Sequence, residues 1–489
     1  MATAASSGGW LHVAGSAAAP PDGSDVGEVI RWYRQREGWT QQEAAERLNT
    51  TQSRLSKLEK GSQALRDVNE LRFIASRLSI PPERLGILPD RSSDRIPHPG
   101  TVSTTPGAPH DSQEHWRAVR AEMNRNRAHL GDLAAEMYPQ SQRIPNTTVL
   151  TRAGWMPDRP VDLADVKLCW LGDENAHPTI TGTSPETEGV RPLTAQGTPY
   201  NRYSRALRDL ARPRLLDNRV SYRLREVAWT DAACDLGFSY TSYFDVLDVC
   251  EALSHEFTEA WLGNGRKRPS MADLRLRRSI TDPFDLSARA MLPSINTLTI
   301  RRDPIDGHRM YLHKRDAAAT AVAGGMYHVV PAGVFQPSSL APAHQANDFS
   351  MWRNIQREFS EELLGNPEHD GNAIDPIDYD NEEPFRSFEL ARKNGDFRTH
   401  VLATVLEPLT LWVEFLTVAV IEAPVFDQLF ADMVGVNEEG SAVSTEAGVP
   451  AVGIPFTSDT RERLRNEPLS PISRATIELT WEHRHRLLG

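Results

Sequence analysis

Between Val26 and Leu88 short apolar stripes alternate with short polar caps, the pattern of a bundle of small helices. Thr40 stands where a helix N-cap is wanted, and Glu43 three residues on completes a capping box. Ala45 is small where two helices must approach, and Leu48 closes that helix's apolar face. After the turn Asn49-Thr50-Thr51, Thr51 can cap a second helix. In that helix Leu55 and Leu58 face inward at spacing three. Gln52, Ser53, Arg54, Ser56 and Lys57 are left to face outward, and Gly61 stops the helix. Further on, the periodicity predicts a helix from about Gln113 to Tyr138, apolar at Trp116, Val119, Met123, Leu130, Leu133 and Met137. Val166–Leu171 and Val220–Val227 read as strands, and Tyr243–Leu262 as a helix. Ile295–Ile300 and Arg309–Arg315 alternate as strands do, and Met326–Gln336 continues as strand and turn. Asp348–Leu364 reads as a helix and Leu409–Ile421 as a long buried strand.

The capped helix, small residue, turn, polar helix and Glu59-Lys60-Gly61 end resemble the Cro/CI-type (XRE) helix-turn-helix family, over about 63 of 489 residues. The resemblance makes Thr51–Lys60 a recognition helix, lying in the major groove of DNA with its N-terminal residues near base edges. Gln52, Arg54 and Ser56 are then the candidates for base contacts, with Ser53 beside them on the outward face. Gln41 and Lys57 are candidates for phosphate contacts, which position rather than specify. Glu59 and Arg34 correspond to the structural ion pair of such domains. The competing reading is a small helical bundle with an ordinary solvated face.

Length implies more than one domain, because single cores rarely grow beyond about 250–300 residues. The chain divides into a disordered N-terminus (1–25), the helical head (26–89) and a flexible linker (90–112) rich in Pro, Gly, Ser and Thr. A mixed helical and α/β segment of unassigned role follows (113–285), then a strand-rich segment (290–460) and a C-terminal helical segment (461–489). The fold class expected is therefore multidomain: an all-α head on an α+β body. Net charge is −12, of which the head carries +3 and the remainder −15, so a DNA-reading head sits on an acidic body. Cys169, Cys234 and Cys250 are odd in number and lack CxxC spacing, which argues against a disulfide framework or a zinc site. No run approaches the ~20 apolar residues of a membrane span. With no basic, apolar leader at the N-terminus, a cytoplasmic protein is expected. His255-Glu256 lacks a second His four residues after the first, so it reads as structural rather than as a metalloprotease motif.

The helix near residue 355 holds Arg357-Glu358-Phe359-Ser360-Glu361-Glu362. Glu358, Glu361 and Glu362 at i, i+3 and i+4 put three carboxylates on one helical face, an arrangement that a hard cation such as Mg²⁺ would relieve. A solvated acidic helix end is the bland alternative. Preceded by strands and the turn Pro331–Phe335, this stretch resembles the Nudix fold over about residues 290 to 460. Arg357-Glu358 and Glu361-Glu362 match the Nudix box G-x5-E-x7-R-E-U-x-E-E-x-G-U. Phe349 and Ala343 stand where that box has its earlier Glu and first Gly, Leu364 stands at the late Gly, and the loop from Gly333 is too long. The resemblance implies a metal-bound diphosphate site at Glu358, Glu361 and Glu362, with Glu361 and Glu362 catalytic if the site is active.

A DNA-reading head on a small-molecule fold implies a transcriptional regulator, bound as a homodimer to double-stranded DNA and responsive to a nucleotide-like or phosphorylated metabolite. The alternative is a Mg²⁺-dependent Nudix hydrolase of nucleoside diphosphate derivatives that the head merely localises. An interaction scaffold has no positive feature in its favour.

Overall fold

The computed structural model describes residues 26–85 and 108–489, apart from 49, 63–64, 66, 173–176, 214–215, 230–233, 316–325, 369–374, 435–439 and 444–452. The expected disordered N-terminus and most of the expected linker lie outside these residues. The linker's expected last residues, Ala108 to Ser112, are already helical.

Four helices build the head: α1 (Val26–Arg36), α2 (Gln41–Arg47), α3 (Gln52–Glu59) and α4 (Val68–Leu78), closed by a 3-10 turn at Pro82–Leu85. Ala44, Ala45, Leu48, Leu55 and Leu58 are buried together with Ile30, Leu71 and Leu78.

The body opens with the long helix α5 (Ala108–Ala135), followed by β1 (Val161–Asp162), β2 (Lys167–Trp170), α6 (Tyr203–Ala206), β3 (Val220–Trp229), β4 (Cys234–Ser242), α7 (Tyr243–Gly263) and α8 (Arg275–Ser279). β5 (Ser294–Arg302), β6 (Arg309–Met310), β7 (Leu312–Arg315), β8 (Tyr327–Val329) and β9 (Ala332–Val334) come next. α9 (Pro342–Asn347), α10 (Met351–Glu358) and α11 (Phe385–Lys393) lead to β10 (Phe397–Leu406) and β11 (Val413–Glu422). The chain ends with α12 (Ala423–Leu429), β12 (Gly440–Val443), β13 (Ile454–Pro455), α13 (Ser458–Leu464), α14 (Pro471–Glu482) and α15 (Arg484–Leu488).

The main sheet runs β1-β10-β11-β5-β6-β13, with β9 on the same edge of β5 as β6. β5 and β11 are parallel and the other pairs antiparallel, so the sheet is mixed. Side chains alternate across a strand, and β11 shows the consequence. Val413, Phe415, Ala419 and Ile421 enter one apolar core, while Leu416, Val418 and Val420 enter another with residues of α14. A strand buried on both faces reads as a continuous apolar run, which is why this one was legible as a long buried strand. A second sheet, β2-β4-β3, packs against the first core, and β12-β7-β8 form a third.

The expected boundary between 285 and 290 does not separate two cores. Trp116, Tyr222, Phe238, Leu253, Ile295, Phe335, Phe359 and Phe415 share one cluster. The backbone ties the halves as well, through Leu224 N to Met291 O (2.8 Å) and Tyr222 N to Phe335 O (3.2 Å). Helix α5 lies along α7 through a buried charge network. Glu251 takes Arg120 at 2.9 Å and also pairs with Arg127, while Arg120 reaches the Tyr203 hydroxyl at 3.1 Å. That hydroxyl meets His255 Nδ1 at 3.1 Å, and Glu256 accepts the backbone N–H groups of Leu276 and Arg277. His255-Glu256 is thus core structure. No helix among the described residues is long and apolar enough to cross a membrane.

The head rests on the body. Val68 N donates to Asn218 O at 2.8 Å, Asp67 pairs with Arg208 at 3.0 Å, and Val220 and Leu340 of the body enter the head's core.

Candidate nucleic-acid interface and a cavity in the body

The head's two central helices begin as their sequences dictate. Thr40 Oγ1 accepts from Glu43 N (3.2 Å) and Glu43 accepts from Thr40 N (2.9 Å), a complete capping box. The backbone N–H of Thr40 holds the Glu43 carboxyl below its ordinary value. Thr51 Oγ1 accepts from Arg54 N at 3.2 Å and starts α3. With Leu55 and Leu58 buried, Gln52, Ser53, Arg54 and Lys57 are exposed and Ser56 is half-buried. Among the described residues the outward face of α3 is therefore exposed.

Three details refine the expected contacts. Glu59, buried at 1% exposure, pairs with Arg34 through Nε and through Nη2 (2.9 Å), which is the structural ion pair expected. Gln41, offered by the sequence for a phosphate, donates instead to Glu59 Oε2 at 2.8 Å. Its amide braces the start of α2 against the end of α3. Arg54 is held by Glu70 of α4 at 2.9 Å, with both side chains partly exposed. A surface pair of this kind contributes about 0–1 kcal/mol, whereas a good bidentate base contact contributes about 1–3 kcal/mol of discrimination. The pair with Glu70 is thus too weak to bar this guanidinium from another partner.

The three carboxylates of the body do not assemble as expected. α10 ends at Glu358, and Phe359–Leu363 is a π turn, whose wider i→i+5 repeat breaks the i, i+3, i+4 face. Glu362 accepts the Ala332 N–H at 3.2 Å, and the Glu358 carboxylate lies so close to Gly333 that a Cβ there would overlap it. Arg357 turns inward to Asp348 (3.1 Å) and the Tyr379 hydroxyl (3.2 Å). Burial alone would lift the Asp348 carboxyl, but Arg357 and the Ser338 and Tyr379 hydrogen bonds hold it below its ordinary value. Among the described residues no three Asp, Glu, His or Cys side chains are grouped to hold a metal ion. Glu358, Glu361 and Glu362 do not fit a Mg²⁺ site, because the helix that should align them bolts itself to β9 and Asp348.

A cavity of about 140 Å³ opens beside β9, lined by Asn296, Glu414, Trp412, Tyr243, Arg127 and His328 among others. Ala332 and Val334 pair with the cavity-lining Asn296 and Ser294, while Gly333 pairs with Ile295 of the first core; all three residues of β9 line the cavity, so the Glu358 and Glu362 contacts adjoin it. Sequence reasoning named none of the cavity's polar residues. One signal was present: Arg120 and Arg127 fall within the stripe Trp116, Met123 and Leu130, where a charge needs a buried partner.

A family model described as a helix-turn-helix domain matches residues 25–85. Over 39 residues the chain is 46% identical to a competence pilus inhibition repressor of Acinetobacter baylyi, a match covering 8% of this chain and 36% of that repressor's length. The head is a helix-turn-helix DNA-binding domain, and an α+β body with mixed sheets follows it.

Proposed function

We propose that the protein is a sequence-specific transcriptional regulator of the Cro/CI (XRE) kind, acting as a homodimer whose body senses a small nucleotide-like or phosphorylated metabolite. The observation that carries this reading is α3: Leu55 and Leu58 anchor it inward while Gln52, Ser53, Arg54 and Lys57 stand in solvent. The repressor to which 39 residues of the chain are similar favours the same role. A Nudix-like body suits a sensor, since a mixed sheet lies between α10 on one face and α14 on the other. In this reading the body binds the metabolite as a signal. In a dimer, two heads reading half-sites about one helical turn apart would gain or lose affinity as the body changes their spacing.

The test is selection of duplexes from a random pool by the full chain, followed by affinity measurements on the selected site. Arg54→Ala and Gln52→Ala should each lower discrimination against the wrong base by roughly five- to 150-fold, the equivalent of about 1–3 kcal/mol. Lys57→Ala should weaken binding to all sequences alike and flatten its salt dependence. Failure to enrich any sequence, or unchanged preference in both base-contact variants, would overturn the reading.

A further inference from the structure

We propose that the cavity beside β9 binds a planar heteroaromatic ring carrying hydrogen-bond acceptors and donors on its edge, and that Asn218 reports its occupancy to the head. The proposal rests on the sensor reading above and names its site and ligand class.

The cavity's size and walls select the ligand. Its volume, about 140 Å³, is close to the ~150 Å³ that accommodates a benzene ring. Trp412 and Tyr243 supply two aromatic walls, their ring centres 5.8 Å apart and inclined at 52°. Polar groups converge on the same space. Asn296 and Glu414 line it from one face of the parallel pair β5 and β11, joined by a 2.7 Å hydrogen bond. Arg127 reaches it from α5. Two donors of its lining residues, Trp412 Nε1 and Arg127 Nη1, have no hydrogen-bond partner among the described residues, although both side chains are more than nine-tenths buried. A buried donor without a partner is costly, so a ligand acceptor that meets one of them is favoured over an apolar ring. Glu414 sets the complementary demand, because a carboxylate accepts from a ligand N–H.

The same wall is linked to the head by a chain of adjacent residues. Tyr243 opens α7, and its backbone N–H donates to Arg219 O at 2.9 Å. The next residue, Phe244, donates its N–H to Asn218 Oδ1 at 2.8 Å. Asn218, 1% exposed, accepts through its own carbonyl from Val68 N, the first residue of α4, at 2.8 Å. Val220, two residues on, lies in the head's core. A ring that moves Tyr243 therefore moves the segment on which the head is seated. It changes DNA affinity if it binds the seated and unseated arrangements unequally.

The test uses the full chain and four probes: adenine, cytosine, nicotinamide and benzene. Calorimetric titration should find at least one heteroaromatic probe bound more tightly than benzene. Trp412→Phe, which keeps an aromatic wall and removes the N–H, should weaken that probe at least tenfold, and so should Arg127→Met. If Arg127→Met unfolds the body because Glu251 loses one of its two arginine partners, Trp412→Phe decides. No binding of any probe, equal binding of benzene, or unchanged affinity in a folded Trp412→Phe protein overturns the pocket. In the second arm the saturating probe should change affinity for the selected DNA site at least fivefold. Asn218→Ala should abolish that change while leaving probe affinity within twofold. An undiminished change in Asn218→Ala overturns the relay. Selective DNA binding with no probe bound sinks the pocket and spares the regulator reading. Probe binding without selective DNA binding sinks that reading, and the relay with it, but not the pocket.

Discussion

The ion pair between Arg34 and Glu59 offers a sharp test of what holds the DNA-reading head together. Both side chains are buried, at 7% and 1% exposure, and Glu59 also receives the Gln41 amide at 2.8 Å. In Glu59→Ala the guanidinium stays inside without its counter-charge, which costs about 3–5 kcal/mol. The head spans residues 25–85. At about 0.05–0.15 kcal/mol per residue, the stability of a domain of that size is only ~3–9 kcal/mol. The single change thus removes a third or more of it. Replacing both partners, as Arg34→Met with Glu59→Met, removes the stranded charge and should be close to neutral. Native-state hydrogen exchange on the full chain reads the difference, with the peptides of β10 and β11 as an internal reference. At about 1.4 kcal/mol per tenfold, exchange of α1 to α3 should accelerate at least a hundredfold in Glu59→Ala. In the double variant it should return to within about tenfold of the parent. Should the double variant exchange as fast as the single one, the damage comes from lost hydrogen-bond geometry, and the uncompensated-charge argument is wrong.

Three further outcomes follow from the body. Gly182 has φ +75°, and an added Cβ would meet Asp248 Cβ at 2.6 Å and its carbonyl oxygen at 2.7 Å, with the neighbouring backbone unable to give way. Gly182→Ala should cost more than about 2 kcal/mol in denaturant titration, through strain and clash together; a loss under 0.5 kcal/mol would contradict that packing. Burial holds the His255 imidazole down to about 3 from its ordinary 6.5, with Arg120 and His115 adding to the effect. Between those values the unfolded chain binds the extra proton, so this contribution is complete above pH 6.5 and fades as pH falls towards 3. Melting at pH 5.5 against 7.5 should show a loss of about 1.4 kcal/mol that His255→Phe lacks; the same pH slope in that variant would exclude His255 as the cause. Because Glu362 is engaged with Ala332 and Glu358 lies against Gly333, millimolar Mg²⁺ should leave the melting temperature unchanged. A rise that Glu361→Gln or Glu362→Gln abolishes would restore the metal site.

Local chemistry was legible where it acts within a few residues. The Thr40 and Thr51 caps and the inward Leu55 and Leu58 could be read because turn, cap and helix stripe are short-range constraints, whereas the Arg34–Glu59 pair, 25 residues apart, was legible only through the family resemblance. The glutamate helix misled for a physical reason. Spacing i, i+3, i+4 fixes a face only while the helix stays α, and Phe359–Leu363 is a π turn, with Phe359 and Leu363 in the core. The expected division near residue 285 failed similarly, since nothing local reveals that Tyr222 and Phe238 pack on Phe335. The cavity was hidden for the same cause: its walls come from α5, α7, β5, β9 and β11, which only tertiary pairing brings together.

Whether such a cavity can govern the head depends on how firmly the head is seated. The Asp67–Arg208 pair is partly exposed, at 27% and 33%, and contributes about 0–1 kcal/mol. The backbone bond from Val68 N to Asn218 O adds a net ~0.5–1.5 kcal/mol. The apolar part of the joint includes Val220, Leu340 and the partly buried Tyr240; it contributes about 1.5–3 kcal/mol for each fully buried side chain, and reduced freedom of the head offsets part of that. The remainder is a few kcal/mol, the same order as the ~1–3 kcal/mol by which one ligand ordinarily biases another site. A joint of this strength is firm enough to hold one arrangement and weak enough for a bound ring to displace it. Leu340→Asp, which places a charge in the apolar part, should therefore release the head without unfolding it. Small-angle scattering would show a larger radius of gyration, while exchange of α1 to α3 stays as slow as in the parent. An unchanged radius, with α4 no more open to exchange, would mean that other contacts set the head's position and that Asn218 has no free joint to act on.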